Sequence, residues 1–202
     1  MWIAKFLIAL LLLSGVAHAG FVGTGQPVAF PGWKTGVYYS HPGEDTNATS
    51  SLSANTAYAN LWVFPVGGTP SKIGISVTAT GTATECRIGV YKYKDGVPDA
   101  LVLDTGALNV QSTGEKEYTN TTYIPAGYYA PLVVCNGTVT TRSMDLEGEP
   151  YGLGQPNPGG GSPIMRYGRT NTTLNYGPMP STFGDATAVS SALNHIKIYF
   201  KF

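Results

Sequence analysis

Charge is scarce in this 202-residue chain: Asp, Glu, Lys and Arg make up 12% of it, with 12 basic residues against 12 acidic ones and a formal net charge of zero. The ordinary share is about 25%. So sparse and balanced a charge lacks the basic footprint that phosphate contacts need, so no nucleic-acid partner is expected. Histidine is scarcer still, at 3. No H-E-x-x-H, C-x-x-C, G-x-S-x-G, P-loop or dinucleotide fingerprint occurs in the sequence. The carboxylates fall mostly in turn-like contexts, where spacing alone brings no two together as a glycosidase pair. The expectation is therefore a protein that is not an enzyme and holds no cofactor. One acidic run, Asp145, Glu147 and Glu149, offers hard oxygen ligands of the kind Ca²⁺ takes, although a solvated loop is the plainer account of it.

Long apolar runs are also missing, with one exception. Lys5 precedes an unbroken run from Phe6 to Leu13, and Ala17, His18 and Ala19 form a small-x-small site before Gly20. That is the grammar of a secretory signal peptide over residues 1–19. The apolar stretch ends near Ala17, short of the roughly 20 residues a spanning helix needs. The other reading is a retained hydrophobic segment, through which alone the chain would contact a membrane. Cysteine is limited to Cys86 and Cys135, an even count that in an exported chain permits one disulfide. Two separate buried thiols are the alternative.

Gly 26 and Pro 14 make up about a fifth of the chain, which disfavours long helices. The periodicity agrees, because apolar residues recur every second position. Ile73, Ile75, Val77 and Ala79 alternate with Gly74, Ser76, Thr78 and Thr80; near the C-terminus Ile196, Ile198, Phe200 and Phe202 face in, and His195, Lys197, Tyr199 and Lys201 face out. Further strands are expected at 58–64, 85–93, 101–104, 116–124 and 128–135. Turn formers such as Asp95-Gly96 and Asn136-Gly137 separate them. The expected fold is all-β, an antiparallel, jelly-roll-like β-sandwich over residues 36–202, preceded by an arm at 20–35. Residues 144–191 break the alternation and read as a long Gly/Pro-rich loop before the last strand.

Aromatic residues are plentiful, at Tyr 13, Phe 7 and Trp 3. Trp33, Tyr38, Tyr39, Tyr151, Tyr167 and Tyr176 are candidates for stacking on glycans or anchoring a protein contact, and Trp62 reads as core. Within that set Tyr151, Tyr167, Tyr176 and Trp33 are the contact candidates, because enriched loops on a rigid scaffold are where binding resides. Asn47, Asn120, Asn136 and Asn171 each head an N-x-[ST] triplet, which a Ser/Thr-rich chain also produces by chance.

Three blocks carry a family resemblance. They are Arg87-Ile88-Gly89-Val90-Tyr91 with Leu101-Val102-Leu103-Asp104-Thr105-Gly106, then Ile124-Pro125-Ala126-Gly127-Tyr128-Tyr129-Ala130, then Pro178-Met179-Pro180-Ser181-Thr182-Phe183. In content and order they resemble strand and turn elements in structural proteins of tailed bacteriophages. Asp99 after Pro98, and Pro131 after Ala130, depart from that pattern. The resemblance implies a β-sandwich module of tail fibres, minor tail proteins or head decorations, structural and adhesive in role, with no catalytic residue to transfer. Its partners would be other virion proteins or a glycan or protein of the host surface, and its location the virion. The leader instead points to an exported, periplasmic or extracellular adhesion module that binds carbohydrate. A homo-oligomer stays open, as fibre proteins commonly form one.

Overall fold

The structure, a computed structural model, describes residues 30–40, 48–94, 97–144, 168–171, 174–183, 187–188 and 195–202. The expected leader, Tyr151, Tyr167 and the acidic run Asp145, Glu147 and Glu149 lie outside the described residues, as does Asn47. The chain divides into two units, Met1–Pro31 and Gly32–Phe202, and the second contains every element below. It begins before the boundary expected at residue 36, because Trp33 already packs against the hydrophobic core.

Every element among the described residues is a strand, and the strands form two antiparallel sheets that pack as a β-sandwich. Numbered in chain order, the first sheet holds β1 (Tyr38–Tyr39), β2 (Thr49–Leu52), β5 (Lys72–Ala79), β8 (Gly114–Thr119), β10 (Val139–Met144), β13 (His195–Ile196) and β14 (Ile198–Lys201). The second holds β3 (Ala57–Asn60), β4 (Trp62–Phe64), β6 (Glu85–Lys94), β7 (Val97–Asn109), β9 (Gly127–Cys135), β11 (Gly168–Asn171) and β12 (Thr187–Ala188). In the first sheet β8 lines one edge of β5, and β14 and β10 follow one another along the other. In the second, β9 is central, with β6 on one side and β3 and β4 on the other.

Alternation delivers the core between the sheets. The first sheet contributes Ile73, Ile75, Val77, Ile198 and Phe200, all essentially inaccessible to solvent. The second contributes Trp62, Phe64, Ile88, Val90 and Val133. Phe200 is the hinge pin of this layer, with its ring 4.9 Å from that of Trp62 and 5.1 Å from that of Phe64. Each such side chain contributes about 1.5–3 kcal/mol by leaving water. Cys86 and Cys135 are direct register partners on β6 and β9 and are joined by a disulfide, with Cα atoms 4.0 Å apart, on the face turned to this core.

Several local expectations are corrected. The strand expected at 101–104 runs from Val97 to Asn109, and the one expected at 116–124 ends at Thr119. There the Asn120 side chain accepts from the Thr122 amide at 3.0 Å and turns the chain. Strands β2 and β10 were not anticipated, because β10 turns Thr141 and Ser143 inward, where both are fully buried. Tyr199, expected on a wet face, is buried on the outer side of the first sheet beneath Tyr38, and Ala79, expected inside, is exposed. The 144–191 stretch is no uniform loop, since it supplies β11, β12 and a segment at 174–183 that returns to the second sheet.

Candidate functional site

The outer face of the second sheet is the most elaborately built place among the described residues. Antiparallel register with β9 sends Ile88 and Val90 of β6 inward and leaves Arg87, Gly89 and Tyr91 on the outside. Around them lies a floor of small and medium apolar side chains, Ala57, Ala59, Ala130, Leu132 and Val134. Left open, that floor would be an exposed apolar patch. Residues 174–183 cross it as a strap, with Leu174, Tyr176, Met179 and Phe183 packed down into a second apolar cluster.

The strap's anchors from Met179 to Phe183 meet residues of the other sequence blocks and their immediate neighbours. Gly89 leaves room for the Tyr91 ring and for Met179, since a Cβ there would stand 2.9 Å from Tyr91 Cε2 and 3.2 Å from the Met179 Cγ and Sδ. The Tyr91 hydroxyl donates to the Pro180 carbonyl at 2.8 Å, and its ring lies 5.9 Å from that of Phe183. The Leu101 amide donates to the Ser181 carbonyl at 2.9 Å, and Ala100 and Thr182 form a β-bridge along the outer edge of β7. The Met179 amide donates to Asp104 Oδ2 at 3.0 Å.

Asp104 organises the polar part. Its carboxylate receives Arg87 through two bonds, Nε to Oδ1 at 3.2 Å and a terminal nitrogen to Oδ2 at 2.6 Å, the forked geometry that suits guanidinium and carboxylate. The two side chains are 18% and 20% exposed. Asp104 also accepts the amide of Gly106, a residue held at φ 71°, where glycine carries no steric penalty. This local twist accompanies a bulge, for register shifts between Arg87 and Gly89. The Thr105 hydroxyl oxygen compensates by accepting the Ile88 amide at 3.0 Å. Burial pushes the Asp104 carboxyl up, and the bonds from Arg87, Met179 and Gly106 overcome that and hold it below the usual carboxylate range. Arg87 is shifted up in return, chiefly by its hydrogen bond to Asp104.

Tyr176, a contact candidate from the sequence, belongs to this arrangement. Its hydroxyl donates to Glu85 Oε2 at 2.9 Å, and its amide donates to the side chain of Asn55 at 3.0 Å. Burial, reinforced by the Glu85 bond, pushes its phenol up to about 12. Trp33, the other described candidate, stacks on Phe202 with ring centres 4.2 Å apart and donates its indole N–H to the Val66 carbonyl at 3.0 Å. Both rings therefore already have partners within the fold. Of the three described N-x-[ST] asparagines, Asn171 ends strand β11, whereas Asn120 is buried and donates to the Pro70 and Thr122 carbonyls. Asn136 accepts the amides of Thr84 and Glu85. Asn120 and Asn136 build turns.

Among the described residues the large aromatic side chains that do face solvent are others: Tyr123 is 60% exposed, Tyr128 52% and Tyr38 47%. Tyr123 and Tyr128 were not singled out from the sequence. A signal existed for Tyr128 in the doubled tyrosines, since a strand that holds Tyr38-Tyr39 or Tyr128-Tyr129 must turn one ring of each pair outward. Tyr129 goes to the core and Tyr128 to solvent. Among the described residues no group of three or more His, Cys, Asp or Glu is placed to hold a metal ion. No protein-family model matches the chain, and no curated protein matches it at a significant level.

Proposed function

We propose that the chain is a non-enzymatic structural and adhesive module of the tailed-phage virion type, serving particle assembly or attachment to a host surface. One observation supports this reading above the rest. The blocks that resemble phage structural proteins lie far apart in sequence, yet Arg87, Gly89, Tyr91, Asp104, Ala130, Met179 and Phe183 meet at a single strap junction. What the resemblance tracks is thus a way of closing a sheet face, which is architecture rather than chemistry. The polar groups there are saturated by one another, as befits a lock.

A second reading, an exported carbohydrate-binding or surface-adhesion module, is favoured by the Cys86–Cys135 disulfide, which belongs to oxidising compartments. Mass spectrometry on the natural source separates the two. Recovery of the chain at fixed stoichiometry from purified particles supports the virion reading. Recovery from periplasm or medium, starting at Gly20 and absent from particles, replaces it with the exported module.

A further inference from the structure

The outer face of the first sheet carries no strap among the described residues, and an exposed tyrosine stands on it at the edge strand β1. Tyr38 stands on β1 beside β14, and although its ring is nearly half exposed it is fixed from several sides. Its hydroxyl donates to Glu117 Oε1 at 2.9 Å and accepts from Lys201 Nζ at 3.2 Å. Its ring meets that of Tyr199 edge to face, at 5.1 Å and 86°. The Lys201 ammonium lies 4.7 Å from the ring centre. Tyr199 can occupy its place because Gly74 has no side chain, as a Cβ there would stand 2.7 Å from the Tyr199 hydroxyl.

Surface tyrosines ordinarily lose rotamer freedom when they bind; this one has lost it beforehand. A rigid amphipathic ring gives contact area at small entropic cost, which is why tyrosine is enriched in the binding loops of antibodies. The groups around it are hydrogen-bonding and balanced in sign. Glu117 and Glu115 are acceptors, Lys201 is a donor, and Lys72 donates to Thr119 at 2.7 Å. A charged polymer finds no net field here. An apolar protein partner finds only one ring. A flat apolar face to stack on the ring, edged by hydroxyls that can both donate and accept, is the surface of a pyranose.

We infer that Tyr38, flanked by Glu117, Lys72 and Lys201, is a stacking platform for a neutral pyranose unit of a surface glycan. This rests on the attachment part of the proposed function and assigns it to the bare face of the first sheet. Saturation-transfer NMR on the full chain, with the methyl glycosides of glucose, galactose, mannose and N-acetylglucosamine as probes, tests it. Saturation is expected on one ring face of at least one glycoside, with affinity in the millimolar range. Tyr38→Ala should weaken that binding about tenfold or more, while Tyr38→Phe, which keeps the stacking surface, stays within about threefold. Should Tyr38→Ala fail to fold, amide shift changes in the unaltered chain decide, and they are expected around Tyr38, Thr119 and Lys201. No transfer to any of the four probes, binding indifferent to Tyr38→Ala, or shifts centred elsewhere would overturn the assignment. Particle association, read separately by mass spectrometry, is untouched by any of these results.

Discussion

The two sheets share one core but finish their outer faces in opposite ways. The second sheet presents alanines, a glycine and medium aliphatics, and a strap seals them from water. The first presents Ser76, Thr78, Thr119 and charged side chains, and one tyrosine pair is the exception. Each face depends on one glycine, Gly89 beneath Met179 and Gly74 beneath Tyr199. A strand whose outward residues are small is thus prepared for a cover, and one whose outward residues are hydroxylated and charged is prepared for water or a polar ligand.

Substitutions sharpen the contrast, starting with the largest effect. Phe200→Ala empties the shared core, and about 3–5 kcal/mol of global stability should go with it, read by denaturant unfolding. Phe183→Ala loosens the strap itself and should instead speed hydrogen exchange at the Leu101 amide, which donates to Ser181, before the rest of the molecule loosens. Equal protection losses everywhere would mean that strap and core unfold as one unit.

The glycine pair comes next. A Cβ at Gly74 would overlap the Lys116 carbonyl oxygen, which belongs to the backbone of β8. Gly74→Ala should therefore cost about 3 kcal/mol, whereas at Gly89 the added Cβ would stand 2.9 Å from the buried Tyr91 ring and 3.2 Å from a flexible methionine, and Gly89→Ala should cost about 2 kcal/mol. Thermal melts of the two variants would rank them, and the reverse order would place the tighter packing under the strap.

Removing the charge at Asp104 tests the polar lock. Asp104→Asn should cost about 2 kcal/mol at neutral pH, the weight of hydrogen bonds to a charged group. Because the native carboxyl sits below its ordinary value of 3.8, its contribution is whole above that value and drains away as pH falls through the lower native one. The variant should therefore approach the unaltered protein in acid, and a stability gap constant with pH would show that the carboxylate is not the source. Tyr176→Phe is the smallest change, about 1 kcal/mol for one hydrogen bond. Its phenol is raised from 10.0 to about 12, so its contribution holds below the lower value and is lost as pH rises through the upper one. Alkaline unfolding of Tyr176→Phe should lack that component.

Much of the sandwich was legible because β5, β6 and β14 alternate apolar inward residues with outward ones along most of their length, while β9 reads as a continuous apolar run that is buried on both faces. Legibility failed where the physics is less regular. Strand β10 buries Thr141 and Ser143, so between Val139 and Met144 its pattern reads as polar. Strand β7 hides its length because a bulge breaks the period and Asp104-Thr105-Gly106 looks like a turn. The strap was illegible as structure, since it buries Leu174, Tyr176, Met179 and Phe183 at uneven intervals set by the floor beneath. Its residues were still visible as sequence blocks. Tyr38 could be named as an aromatic candidate, but its partners Glu117 and Lys201 lie 79 and 163 residues away and come together only through sheet pairing.

The stacking of Trp33 on Phe202 has a mechanical consequence. The Gly36 amide donates to the Phe202 carbonyl, and β1 runs antiparallel to β14, so the place where the backbone joins the sandwich and the place where it leaves β14 coincide. Tension applied between those two points opens β1 from β14 one hydrogen bond at a time, like a zip fastener, instead of straining all of them in shear. Until that seam parts, the load stays on β1 and β14 and little of it reaches the rest of the sandwich. A sandwich tethered through those two points would hang from that seam rather than serve as a link in the line of force.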